Sequence, residues 1–201
     1  VPTALRVTQG ARAVARSRAF LDGLVELQDA ASQAVVADLP VQPGQRVLDY
    51  CAGGGGKTLG LAARLNGDFV WAHDAAPSRM VDLPTRAARA GAPVRVVTRV
   101  EERFDLVLCD VPCSGSGAWR RSPDGKWRLT PESLASLMET QAQILAVAAD
   151  HVRPGGRLAY VTCSVLRGEN QRQVRAFAEQ RVQSWSLERE RHLLPGSDGD
   201  G

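Results

Sequence analysis

Several features that would place this chain in a specialised class of protein are missing from its 201 residues. No apolar run is long enough to cross a membrane, and no secretory leader can be recognised. There is no internal repeat. The only four cysteines are scattered through an α/β pattern, unlike a disulfide framework: Cys51, Cys109, Cys113 and Cys163. We therefore expect a cytoplasmic protein in a reducing compartment, without membrane association.

A strong charge of one sign is also absent, since 25 lysine and arginine residues face 22 acidic residues, a difference of 25 − 22 = 3. A net charge this small does not by itself indicate a nucleic-acid partner. Its distribution says more, because residues 1–20 hold four arginines and no acid. Residues 118–128 likewise hold four basic residues against one acid: Arg120, Arg121, Lys126 and Arg128. The length and the 44% hydrophobic content suit one globular domain.

Short β-rich runs alternate with helical stretches along the chain. Strands are predicted at 46–50, 69–73, 94–97, 106–110 and 158–162, and helices at 28–39, 58–65, 78–90 and 132–151. Thr130 followed by Pro131 is a good start signal for the last helix. The alternation predicts an α/β fold with a mostly parallel sheet and helices on both faces. Residues 1–27 are irregular and basic, and residues 195–201 carry no structural signal.

A glycine loop follows the first predicted strand and suits a ligand that approaches the backbone closely. It consists of Cys51, Ala52, Gly53, Gly54, Gly55, Gly56 and Lys57. The ending Gly56-Lys57-Thr58 resembles a phosphate-binding loop, but that motif needs glycine where Cys51 stands. The dinucleotide motif fails as well, because Thr58 occupies its third glycine position. A nucleotide triphosphatase is thus disfavoured, and Asp74 after the second strand is placed to accept hydrogen bonds from ribose hydroxyls.

Two cysteines lie in loops that follow parallel strands. Cys113 belongs to the loop after the strand that ends at Asp110, and Cys163 ends the last parallel strand. Both should face one rim of the sheet, where a thiolate can act as a nucleophile. A lone cysteine is more often a small buried apolar residue, but the pair beside Asp110 and a glycine loop points to chemistry. Four thiolates on one metal are the alternative; the spacing supports it poorly, and we predict no metal.

Three motifs, in this order, resemble the Sun/RsmB family of RNA cytosine-5 methyltransferases, also called Nop/Sun. They are 47–58, then 110–117 with 121–127, then 160–164 with Glu169-Asn170. Gln28–Ser32 is similar to the helix that precedes the first strand in that family. The resemblance covers most of residues 28–180. It implies a Rossmann-like class I S-adenosylmethionine methyltransferase domain at 28–201. It also implies that residues 1–27 are the remnant of an accessory RNA-binding region.

The resemblance also implies a mechanism and its residues. S-adenosylmethionine would be held by Cys51–Lys57, Asp74 and Asp110. Cys163 would attack carbon 6 of a cytosine in RNA, which makes carbon 5 able to accept a methyl group, and Cys113 would assist release. Asp110 would hydrogen-bond ring nitrogen 3 and the exocyclic amine. Related DNA enzymes attack from the Pro-Cys loop and lack the Thr-Cys-Ser motif, so the presence of both motifs favours RNA.

The expected partner is single-stranded or unpaired RNA, ribosomal RNA ahead of transfer RNA, and the expected state is a monomer. Arg120, Arg121, Lys126 and Arg128 are the predicted RNA contacts, with Trp119 and Trp127 beside them as stacking surfaces. The alternative is that the segment holding these residues is a solvated loop that does not bind RNA, with Trp127 packed in the core.

Thr98-Arg99 stand where the family usually carries an acid that contacts adenine. That departure leaves a non-catalytic RNA-binding or assembly protein on a methyltransferase scaffold as the second hypothesis.

Overall fold

The computed structural model describes residues 3–196 and 199–201, and five strands in that part of the chain form one sheet. The strands are β1 Val47–Asp49, β2 Val70–Ala72, β3 Val94–Val96, β4 Phe104–Asp110 and β5 Val152–Val161. Every neighbouring pair is parallel, in the order β3-β2-β1-β4-β5. The predicted Rossmann-like, parallel α/β fold is confirmed. The predicted start of β5 at Leu158 is wrong, because the strand already begins at Val152.

Seven α-helices and three 3₁₀ helices accompany the sheet in the described residues. The α-helices are α1 Arg18–Leu21, α2 Ala30–Asp38, α3 Gly56–Arg64, α4 Leu83–Arg89, α5 Asp124–Arg128, α6 Pro131–Asp150 and α7 Gln171–Gln180. The 3₁₀ helices are Ala11–Arg16, Pro77–Met80 and Ser116–Ala118. The single helix expected over 78–90 is divided in two, with α4 starting only at Leu83 and a proline within its first turn. Helix α7 was not predicted.

Helix α6 starts where the sequence predicts. Thr130 is its N-cap, and its hydroxyl accepts a hydrogen bond from the Ser133 amide at 3.2 Å. The Ser133 hydroxyl in turn accepts from the Thr130 amide at 3.0 Å, which completes a capping box. This reciprocal pair satisfies amide groups that have no partner within the first helical turn.

The core is split into two layers by the alternation of side chains along the strands. Val47 and Leu106 point to one face, where they pack with residues of α2 and α3. Leu48 and Val107 point to the other face, where they pack with Ala148 of α6. Successive residues of a strand face opposite sides of the sheet, so both faces are covered, as predicted.

The N-terminal segment has more structure than the expected irregular coil. Within it lie a 3₁₀ helix and α1, so that prediction is wrong for residues 11–21; residues 1 and 2 lie outside the described part. Phe20 lies under the Arg89 guanidinium at 3.9 Å, and Glu26 pairs with Arg86 and Arg89 of α4. These contacts, rather than helix propensity, attach the segment to the domain.

The chain end also departs from the structureless tail predicted for 195–201. Gly196 forms a bridge with Gly199, and the Gly201 amide donates to the Gly117 carbonyl at 3.1 Å. Asp200 is buried at 6% exposure. Residues 197 and 198 lie outside the described residues. Across the described ranges, no helix combines the length and the apolar composition that a membrane span requires.

Candidate active site

The order of the strands reverses between β1 and β4, and the loops after these strands flank that point. In open α/β sheets, ligands bind beyond the carboxyl ends of the strands at such a switch. Lys57 near the start of α3 and Asp110 at the end of β4 meet across it, with Nζ and Oδ2 separated by 2.6 Å. The ion pair therefore bridges the two halves of the sheet.

The glycine loop needs glycine because of its backbone shape. Gly53 and Gly55 have φ angles of 50° and 83°, in the left-handed region that favours glycine. A Cβ atom at Gly55 would lie 2.2 Å from Cδ1 of Leu83. The loop lines a cavity of about 220 Å³ together with Asp49, Lys57 and Asp110. All the predicted loop residues except Gly55 line this cavity: Cys51, Ala52, Gly53, Gly54, Gly56 and Lys57.

Asp49 is a buried carboxylate that the predicted site did not include. One of its oxygens accepts from the Thr58 hydroxyl at 2.7 Å, whereas the buried Oδ1 has no hydrogen-bond partner. Burial raises the pKa of Asp49 from 3.8 to about 7. Because an unpartnered buried acceptor is costly, this atom is suited to a hydrogen-bond donor of a ligand in the cavity.

Asp74 holds the glycine loop in place. Its carboxylate accepts from the Gly53 amide and from the Ala76 amide, each at 2.9 Å, and Arg79 lies 3.4 Å away. The side chain is 4% exposed, and Arg79 rather than Asp74 lines the cavity. The ribose contact stays a prediction. Thr98 and the two acids that follow it, Glu101 and Glu102, do not line this cavity.

The two loop cysteines meet at the same rim. The β4–β5 register pairs Asp110 with Val161, which brings the loops after the two strands side by side. The sulfur atoms of Cys113 and Cys163 are 3.3 Å apart, with Cys163 exposed and Cys113 half-buried. The hydrogen bond from Cys113 lowers the pKa of Cys163 from 9.0 to about 7, while the same contact raises that of Cys113. Cys163 is therefore the first of the two to ionise, and the Cys113 thiol can then donate to its thiolate.

Cys163 and the glycine-loop cavity have two neighbours in common, Lys57 and Asp110. Lys57 and Asp110 line the small cavity and also a larger one that includes Cys163 and Arg121. Both charges of the ion pair act on the Cys163 sulfur, Asp110 raising its pKa and Lys57 lowering it, so the pair lies near the thiol. Glu169, which the sequence motif contained without a role, lies buried behind both cysteine loops.

The predicted RNA-contacting side chains are all exposed: Arg120, Arg121, Lys126 and Arg128. Arg121 pairs with buried Asp200 at 2.7 Å. Trp127 is 81% exposed, so the alternative that places it in the core is wrong. Its ring lies 5.5 Å from the Lys126 ammonium, which adds an aromatic face to the basic surface. In the described residues no group of three or more His, Cys, Asp or Glu side chains is arranged to hold a metal, so the four-thiolate alternative has no support.

Known proteins resemble this chain in sequence and in fold. A family model described as 16S rRNA methyltransferase RsmB/F matches residues 36–195. The chain belongs to this RsmB/F family. Ribosomal RNA small subunit methyltransferase B of Vibrio cholerae is 35% identical over 193 residues, 89% of this chain and 44% of that protein. The Salmonella arizonae protein of the same name is 37% identical over 169 residues, 80% of this chain and 39% of that protein.

Solved structures agree with this membership. A methyltransferase homolog protein from Pyrococcus horikoshii superposes with a TM-score of 0.72 at 28% identity, over 83% of this chain and 55% of that chain. The class I methyltransferase architecture of this RsmB/F member is thereby established. The chain spans less than half the length of the two curated relatives described above.

Proposed function

We propose that this RsmB/F member transfers a methyl group from S-adenosylmethionine to carbon 5 of a cytosine in RNA, with Cys163 as the covalent nucleophile. The observation that carries the proposal is the contact between Cys163 and Cys113 at 3.3 Å, beside the Lys57–Asp110 ion pair. A protein that only binds RNA has no need of an ionisable thiol at the mouth of a cofactor-type cavity. The names of the relatives point to ribosomal RNA as the substrate.

The residues around the glycine loop fit S-adenosylmethionine. The unpartnered Oδ1 of Asp49 is a ready acceptor for an ammonium group, and the N-terminus of α3 has no side-chain cap. Backbone amides at a helix N-terminus favour a carboxylate. Cys51–Lys57 and Asp110 would therefore hold the methionine end. Asp74 maintains the loop and would accept hydrogen bonds from the ribose hydroxyls. Bound there, the cofactor supplies an electrophilic methyl group.

Cys163 performs the activating step. Its thiolate forms a bond to carbon 6 of the cytosine, and the electron pair displaced from the 5,6 double bond makes carbon 5 nucleophilic. Asp110 accepts from the exocyclic amine and orients the ring, with Lys57 holding the carboxylate in place. Once carbon 5 holds the methyl group, the donor having left as its neutral thioether, a base takes the carbon 5 proton. The electron pair of that C–H bond re-forms the 5,6 double bond, the bond from carbon 6 to sulfur breaks, and its pair returns to Cys163 as the thiolate. Cys113 lies 3.3 Å from that sulfur, where it can assist release.

The base reaches this rim from single-stranded or unpaired RNA, because a stacked base cannot enter the pocket. Arg120, Arg121, Lys126 and Arg128 are exposed on the segment that follows the Cys113 loop and would contact phosphates. Trp127 offers a face on which an unpaired base can stack.

The test incubates the protein with methyl-labelled S-adenosylmethionine and unmodified small-subunit ribosomal RNA. We expect label in 5-methylcytosine with the wild type and none with Cys163→Ala. Cys113→Ala should accumulate a covalent protein–RNA adduct that survives denaturing electrophoresis. Label in another nucleoside would refute the reaction. Loss of both methyl transfer and cofactor binding, measured by calorimetry, would favour the non-catalytic scaffold.

A further inference from the structure

Glu169 is a charged side chain with no exposed surface, located between the loop after β5 and the start of α7. A buried carboxylate is costly unless several donors satisfy its oxygens. Here Oε1 accepts from the Ser114 amide at 2.8 Å and from Nε2 of Gln141 at 3.0 Å. Oε2 accepts from the hydroxyls of Ser114 and Ser164. Four donors therefore surround the two oxygens.

These donors come from three different parts of the chain. Ser114 directly follows Cys113, and Ser164 directly follows Cys163. Gln141 belongs to α6, is fully buried, and also donates to the Pro112 carbonyl at 2.9 Å. The carboxylate thus joins the residue next to each thiol to one rigid helix. Its own backbone is anchored as well, because the Tyr160 hydroxyl donates to the Glu169 carbonyl at 2.6 Å.

We propose that Glu169 is a positioning residue that holds the two cysteine loops together, so that the Cys113 thiol can donate to the Cys163 sulfur. The inference rests on the proposed function, since it explains how that site is assembled. Its bonds reach the serine that follows each cysteine, and through these residues Glu169 acts on the thiols. Without it, the loops keep the bond from the Gly117 amide to the Cys163 carbonyl and the bond from the Val165 amide to the Ser116 hydroxyl at 2.9 Å. The Ser164 hydroxyl also keeps its contacts with the hydroxyls of Ser114 and Ser116.

The donor set predicts which substitution is tolerated. The donors to Oε1 are N–H groups, which cannot act as acceptors. The donors to Oε2 are hydroxyls, which can rotate and accept a hydrogen bond instead. Glu169→Gln can keep an oxygen at the first position and place its amide nitrogen at the second. It should therefore preserve the junction, while Glu169→Ala removes the common acceptor of both loops.

The experiment measures the alkylation rate of Cys163 by iodoacetamide from pH 6 to pH 10, in the absence of RNA and cofactor. The tryptic peptide 158–167 contains Cys163 as its sole cysteine and reports it by mass spectrometry. For Glu169→Ala we expect the midpoint of the pH curve to rise by about one unit or more above the wild-type midpoint. Glu169→Gln should keep the wild-type midpoint, as should the matched control Glu179→Ala on the exposed side of α7.

A double variant separates positioning from general loss of structure. If Glu169 acts through Cys113, then Glu169→Ala should add little to the shift that Cys113→Ala already causes. An additional shift of similar size in the Cys113→Ala background would overturn the proposal, as would an unchanged midpoint in Glu169→Ala. If Glu169→Ala fails to fold, Ser164→Ala provides the same test, with a smaller upward shift expected and no shift refuting the idea. Because alkylation needs no methyl transfer, these outcomes are independent of whether the proposed reaction is correct.

Discussion

The contact between the two thiols makes a quantitative prediction for Cys113→Ala. In the wild type, the hydrogen bond from Cys113 is the largest influence that lowers the pKa of Cys163, from 9.0 to about 7. Burial and the negative charge of Asp110 act in the opposite direction, and Lys57 only partly offsets them. Once the donor is removed, the pKa of Cys163 should return to at least 9.0, its ordinary value.

The expected change in reactivity follows from ionisation and nucleophilicity together. At pH 7, raising the pKa from about 7 to about 9 lowers the thiolate fraction from about one half to about 1%, roughly 50-fold. The remaining thiolate is roughly 6- to 10-fold more nucleophilic, because reactivity rises with pKa with a Brønsted coefficient of about 0.4–0.5. Alkylation of Cys163 should therefore slow by roughly 5- to 8-fold at pH 7. At about pH 10 the variant should be the faster of the two, so the curves cross near pH 8.

The assay is iodoacetamide alkylation followed on peptide 158–167, with wild type and variant compared over the same pH range. Cys51→Ala is the matched control, since it removes a thiol that lies in the glycine loop and is not bonded to Cys163; its curve should coincide with that of the wild type. A Cys113→Ala curve with its midpoint still near pH 7 would refute the assignment of Cys113 as the donor. Parallel curves that never cross would show that access, not ionisation, had changed.

Three further predictions concern stability and binding. Between about pH 4 and pH 7 the unfolded chain has an ionised Asp49 while the folded protein keeps it protonated, so stability falls as pH rises through this window. Relative to the wild type, the unfolding free energy of Asp49→Asn should rise by up to about 1.4 kcal/mol per pH unit in this window, measured by urea denaturation. A difference in unfolding free energy that stays constant with pH would contradict the raised pKa. Gly55→Ala should lower the unfolding free energy by about 1–3 kcal/mol, because the new Cβ would overlap the Leu83 side chain. Gly44→Ala, which has a similar φ angle and open space around it, should lower the unfolding free energy by less. Equal losses in the two variants would show that Leu83 moves aside. Trp127→Ala should change stability by less than about 0.5 kcal/mol but weaken binding of single-stranded RNA by about 1–3 kcal/mol, measured by fluorescence anisotropy; unchanged affinity would exclude stacking there.

Much of the fold could be predicted because its signals are local. Alternating β-rich and helical stretches determine the α/β class, and Thr130-Pro131 marks the start of α6 within its own first turn. The start of β5 could not be read in the same way. Pro154 and the two glycines after it indicate a turn. In the structure they interrupt the pairing without ending the strand: the register jumps from Phe104–Val152 to Leu106–Arg157 at the sheet edge. An edge strand tolerates a missing amide donor and local irregularity.

Residue type alone misplaces Trp127 and does not reveal the partners of Asp74. Tryptophan is usually buried, but Trp127 lies on the short helix α5 and is largely exposed. Asp74 was correctly placed at the end of β2, while its hydrogen bonds to the Gly53 and Ala76 amides became visible only in the fold. Exposure and hydrogen-bond partners depend on what the neighbouring elements leave uncovered, and single-sequence patterns do not contain that information.

The sequence by itself determined the motifs, their order, and the rim of the sheet on which they lie, because the carboxyl ends of parallel strands meet at one edge. Only the tertiary structure decided how those residues pair. Cys113 and Cys163 are 50 residues apart, and their contact depends on the register of β4 against β5. The ion pair of Lys57 with Asp110 depends likewise on the adjacency of β1 and β4. Glu169 had no visible role in the sequence, since a buried carboxylate acquires one only through the donors that packing brings to it.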